Sequence, residues 1–156
     1  MSVTAVQALA GVFILLSGTL AGVLVAVEVA VVPMLARLPG NRYIEVHRLL
    51  DPRFDPLMPN INKVALAVGL ALIILGRGIP AQVCFGLAEA GIVGVALVSE
   101  LSNVRINRLM DRWDVTRLPQ EWPRLRVRWA QSNRGRTAIA LAAFATAIAG
   151  TILTRG

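Results

Sequence analysis

Between residues 3 and 36 the chain carries a single ionisable side chain, Glu28. Comparable runs lie at 61–75, with only Lys63, at 79–98, with only Glu89 and the thiol of Cys84, and at 137–154, with none. Crossing about 30 Å of hydrocarbon takes roughly 20 helical residues. In lipid every backbone N–H and C=O must be satisfied within the segment, which favours helices. The runs therefore predict an all-α, integral membrane four-helix bundle. It is a single four-span domain over 1–156, with spans at about 8–36, 61–75, 79–98 and 137–154. Composition agrees: 56% of residues are apolar and the mean hydropathy is +0.65, where a soluble domain has about 45–50% apolar residues.

Charge orients the spans. Five basic residues fall in 37–63 and nine in 99–136, while the opposite side holds only Arg77 and Arg155. Basic residues favour cytoplasmic loops. Both long connections are expected in the cytoplasm and both termini outside, in a multi-pass protein of the cell membrane. The same argument assigns the net charge of +7 to the membrane surface rather than to nucleic acid. Fifteen arginines against one lysine suggest a GC-rich bacterial source. A cleaved signal peptide is not expected, because no basic residue precedes Arg37 and the first apolar run is too long.

The connections have their own signals. Pro33 is expected to kink the end of the first helix, and Pro39-Gly40 to stop it. Asn41 is placed to cap a short amphipathic helix over Arg42–Leu50, with Tyr43, Val46, Leu49 and Leu50 as its apolar stripe. That helix would lie on the membrane surface. Pro52, Pro56 and Pro59 then predict a rigid, non-helical approach to the second span. Gly76–Pro80 reads as a tight turn. The third helix is expected to run on as far as Trp113, and the last to begin near Trp122. Ser17, Gly18, Ala21 and Gly22 give the first helix a small-residue face for close packing.

An acid within a span costs about 2.5–3.5 kcal/mol, so Glu28 and Glu89 need a reason. At 1.5 Å per residue they lie at similar depth, roughly 12 and 14 Å from the inner ends of their helices. Either they face one shared cavity, or each is protonated and bonded locally. At about 100° per residue Glu89, Glu100, Asn103 and Asn107 share one helix face. Trp129, Asn133 and Arg136 share another. The candidate catalytic residues are Glu28, His47, Glu89, Asn103, Asn107 and Asn133. The candidate substrate-binding residues are Asn60, Asn62, Glu100, Trp129 and Arg136. Trp113 and Trp122 read as interfacial anchors. His47, the only histidine, suits a general base but equally an exposed surface position. One histidine and one cysteine, Cys84, make a transition-metal site an unlikely expectation, and no cofactor is assigned.

The motifs NVRINRLMDRW, from Asn103 to Trp113, and RWAQSNRGR, from Arg128 to Arg136, complete a pattern. With four spans, a proline ending the first and a proline-rich approach to the second, the chain resembles the anthrone-oxygenase-like family of small integral membrane proteins. It departs from the family in having Arg105 where a proline usually precedes the Ile106-Asn107 pair. The resemblance implies a membrane oxidoreductase, a monooxygenase of polyketide-type secondary metabolism. It would act on an aromatic or other lipophilic small molecule with O₂, near the cytoplasmic face. An anthrone carbanion reacts with O₂ without a bound cofactor, so a base and hydrogen-bond donors in an apolar pocket would suffice. Two other functions stand beside it: a small four-span transporter using Glu28, and a non-catalytic membrane subunit. No feature of the sequence fixes the oligomeric state.

Overall fold

The computed structural model describes residues 3–54, 56–76 and 78–154. Arg77 and Arg155, the two basic residues assigned to the outer side, lie outside the described residues. The described chain is all helical. Helix α1 (Val3–Ala26) passes through a π-helical turn, Val27–Val31, into α2 (Val32–Ala36). Helices α3 (Gly40–Phe54), α4 (Leu57–Leu75) and α5 (Ile79–Val98) follow, and a second π turn, Ser99–Asn103, leads into α6 (Val104–Met110). After a connection, α7 runs over Trp122–Leu153. Four of the resulting rods are long and apolar enough to cross a membrane.

Only 17–39% of each rod's most apolar window is buried within the protein. Leu15, Leu70, Ile74, Ile79, Leu87 and Ile152 all stand exposed. A water-soluble helix of this composition would bury its apolar face.

Helices α1, α4, α5 and α7 pack in a closed ring, α1 against α4 and α7, and α5 against α4 and α7, with the α5–α7 contact the most extensive. Their shared core is built from small residues, including Ala10, Ala65, Ala88, Ala140, Ala143 and Ala147, wedged by Phe13 and Phe85. Small side chains let helix backbones approach closely in lipid. A methyl group placed on Gly91 would sit 2.7 Å from the Ala143 Cβ. Three of the four residues of the expected small-residue face on α1 pack: Ser17 and Ala21 are buried and Gly18 lies against the Phe144 ring, while Gly22 has open space beside it.

A second core lies where α2, α3, α6 and the start of α7 meet. It contains Val27, Leu35, Tyr43, Ile44, Ile106, Met110 and Trp129. Trp113 and Trp122, read above as membrane anchors, pack half-buried against this core. Arg48 ties it together. Its guanidinium donates to the Met110 carbonyl at 2.6 and 3.2 Å and to the Trp113 carbonyl at 2.6 Å, so a side chain of α3 caps the C-terminal end of α6. In the connection after α6, the backbone N–H and the hydroxyl of Thr116 bond Asp114 and hold its carboxyl below the usual range.

Three expectations about the connections need correction. The proline-rich run is helical: α3 continues through Asp51, Pro52 and Phe54, and α4 already contains Pro59. Pro59 is tolerated because N–H groups in a helix's first turn have no intrahelical partner. Pro52 falls in the last turn of α3, so its missing donor costs one bond near a terminus. The buried stripe of α3 also differs. Tyr43, Ile44 and His47 turn inward, while Leu49 is 74% exposed. The third helix stops at Met110 rather than Trp113. The Gly76–Pro80 turn forms where its described residues are concerned. Gly78 adopts φ 83°, a conformation open to glycine and strained for other residues.

The π turns matter for register. Pro33 has no N–H to give the Val29 carbonyl four residues upstream, and the Val27–Val31 turn absorbs that lost bond. A π turn carries one extra residue and rotates everything beyond it by about 100° relative to a continuous α-helix.

Candidate functional site

The ring of four helices opens between the two cores into a cavity of about 330 Å³. Its apolar wall comes from α1, the first π turn and α2, with Leu20, Leu24, Val27, Val31 and Leu35, and from Phe54, Met58 and Leu66 opposite. Its polar wall holds His47 and Asp51 from α3, Asn62 and Lys63 from α4, and Ser99, Glu100 and Asn103 from the second π turn. Asn107 from α6 and Trp129 and Arg136 from α7 complete it. A pocket with a greasy side and a small set of converging polar groups is the form that small-molecule sites take.

Two hydrogen-bond chains hold the polar wall. In the first, Trp129 Nε1 donates to Asn107 Oδ1 at 2.9 Å, and the Asn107 amide donates to the Asp51 carboxylate. Asn103 joins it by donating to the Trp129 carbonyl at 3.3 Å. The second chain starts at the surface. Arg134 Nε pairs with Glu28 Oε1 at 3.0 Å, Asn133 Nδ2 donates to Glu28 Oε2 at 2.8 Å, and Arg136 Nη2 donates to Asn133 Oδ1 at 3.0 Å. Arg136 Nη1 then reaches Ser99 Oγ at 3.2 Å, and the Ser99 hydroxyl passes its own proton to the Val95 carbonyl at 2.7 Å.

His47 is only 3% exposed. Its ring stacks on Tyr43, with centroids 5.9 Å apart, and meets the Trp129 ring edge-on at 5.1 Å. Neither ring nitrogen has a hydrogen-bond partner. The same holds for Oδ1 of Asn62 and Oδ1 of Asn103. Buried polar atoms are nearly always bonded, so each exception calls for an explanation. Among the described residues, Glu89 Oε2 is the one such atom whose residue does not line the cavity.

Seven sequence candidates therefore line the cavity together: His47, Asn62, Glu100, Asn103, Asn107, Trp129 and Arg136. Four do not. Glu28 and Asn133 lie behind the wall, with Asn133 wholly buried and bonded at both ends of its amide. Asn60 is exposed on the outside of α4. Glu89 is lodged against Gly69 and Phe13 in the packed ring. Neither Glu28 nor Glu89 lines this cavity. Glu100, Asn103 and Asn107 line the cavity and Glu89 does not; the π turn at Ser99–Asn103 also breaks the constant 100° step on which the expected face from Glu89 to Asn107 depends.

Sequence reasoning missed Asp51, Lys63 and Ser99. Asp51 follows His47 by four residues, one turn along the same face. That signal was lost by reading the proline run as non-helical. Among the described residues, no three of His, Cys, Asp and Glu come together in a metal-binding group. No known family model matches the sequence, and neither a curated protein nor a solved structure is similar to it.

Proposed function

We propose that the chain is a membrane-embedded oxidoreductase, an anthrone-oxygenase-like monooxygenase whose active site is the cavity between the two cores. The four helices cross the cell membrane as a bundle, with both long connections cytoplasmic and both termini outside. The basic residues of those connections support that orientation. The observation that carries the reading is the clustering of unpartnered buried polar atoms, on His47, Asn62 and Asn103, around one half-apolar cavity.

In this reading a lipophilic aromatic substrate lies against Leu20, Leu24 and Phe54. His47 takes a proton from an activated CH₂ group, as a neutral imidazole does in general-base catalysis. The resulting carbanion, delocalised onto its carbonyl oxygen, transfers electrons to O₂. One oxygen atom becomes the new carbonyl of the product. The other leaves as water, carrying both hydrogens of the original CH₂ group. The substrate supplies all the electrons, so the balance is CH₂ + O₂ → C=O + H₂O. The Trp129–Asn107–Asp51 chain fixes the polar wall and positions it against the substrate.

Oxygen uptake and product analysis with an anthrone, using purified protein in lipid discs, test this. Asn107→Ala and His47→Gln should abolish turnover in protein that still folds, while Glu28→Gln should leave most of it. The transporter reading predicts the reverse sensitivity. It is disfavoured because Glu28 already spends its charge on Arg134. No oxygen uptake with any anthrone, in protein of full helical content, would defeat the proposal.

A further inference from the structure

We infer that Arg136 forms an anion subsite in this cavity, so that the ligand is an amphipathic monoanion with its charged oxygen against the guanidinium. The inference rests on reading the cavity as a ligand site. Among the described residues the ion pairs are Arg42–Glu45 and Arg134–Glu28. Arg136 therefore lines the cavity with no carboxylate within pairing distance. Its three bonding nitrogens reach only the neutral acceptors Asn133 Oδ1 and Ser99 Oγ.

A guanidinium has five N–H donors in a rigid plane. Each terminal nitrogen of Arg136 uses one bond in the structure and keeps a second hydrogen. Neutral anchoring fixes the plane and leaves the guanidinium without a directly bonded carboxylate. The anchor is itself held: Asn133 is oriented by Glu28, and Glu28 by Arg134, so the negative charge in this chain is paired away from the cavity. Placing a charged donor in a largely apolar cavity makes its bond to an anionic oxygen stronger than in water.

The cavity also holds two carboxylates. Asp51 acts on Arg136 through space without a direct ion pair and is engaged by the Asn107 amide, while Glu100 is exposed. Lys63 lines the cavity as a second cation and makes no ion pair among the described residues. The long apolar wall demands that the rest of the ligand be lipophilic. Two sources share this chemistry: a fatty carboxylate from the membrane and an ionised aromatic phenol.

The test is equilibrium binding to the intact protein in zwitterionic lipid discs, with empty discs as background. The probes are laurate, dodecanol, dodecyltrimethylammonium and the hydroxyanthraquinone alizarin. Laurate or alizarin should bind saturably and at least about tenfold more tightly than dodecanol, and the cation least. The tighter anion identifies the source as lipid or aromatic. Arg136→Gln should abolish the anion preference and Arg136→Lys should keep part of it. Dodecanol binding as tightly as both anions overturns the inference. So does a folded Arg136→Gln protein that keeps the preference. Should that variant fail to fold, the laurate-to-dodecanol ratio in the unaltered protein decides. Saturable anion binding without oxygen consumption defeats the oxygenase proposal and leaves the subsite standing. Oxygen consumption without anion preference does the opposite.

Discussion

The ring core and the cavity core lie on the same four rods and use them in opposite ways. In the ring, alanine and glycine let α5 and α7 close until Gly91 meets Ala143. Even an ionisable side chain is absorbed there: Gly69 leaves the room that the Glu89 carboxyl fills. Nearer α3 and α6 the side chains lengthen to Leu, Trp, Tyr and His, the two π turns fall, and the helices enclose a space. Tight approach costs function its room. Wider spacing demands that every polar group be held by another.

The widest separation of the two regions should come from His47→Gln. It is expected to lower turnover by about 100-fold or more while leaving the thermal midpoint nearly unchanged. A matching fall in the midpoint would make His47 a packing residue and erase the distinction. Gly91→Val should do the converse. Overpacking of this kind costs about 1–3 kcal/mol, read as a lower unfolding midpoint in detergent, with binding constants intact in the fraction that stays folded. Arg48→Gln tests the seam between the regions. Losing a charged donor to the Met110 and Trp113 carbonyls should cost about 1.5–3 kcal/mol and raise hydrogen exchange after Met110. Least affected should be Ser102→Ala. The Ser102–Ser132 hydroxyl contact of 2.6 Å joins the second π turn to α7. Its loss should cost about 0.6 kcal/mol, the average for such bonds within membranes. A larger loss would mean that the π turn is held by this one bond.

The ring was readable in advance because uncharged length alone defines it. Runs such as 79–98 admit one interpretation, and the start of α7 at Trp122 is marked by Pro123 in its first turn. The cavity was readable only in part. Asn103, Asn107, Trp129 and Arg136 stood out because polar residues beside apolar spans are scarce. Asp51 was hidden because three prolines in eight residues suggest a broken chain, whereas two of them sit where helices tolerate them. Glu89 lies apart from the cavity, and a constant helical step does not anticipate a π turn such as Ser99–Asn103. No local residue pattern announces the one at Ser99–Asn103, which has no proline beside it. His47 had two opposite readings, and only the packing of Tyr43 and Trp129 around it decides in favour of burial.

His47 and Arg48 are neighbours on one helical turn, yet they serve different masters: the first borders the cavity, the second grips the far end of α6. A single peptide bond thus joins the anchor of the α6 terminus to the histidine that borders the cavity.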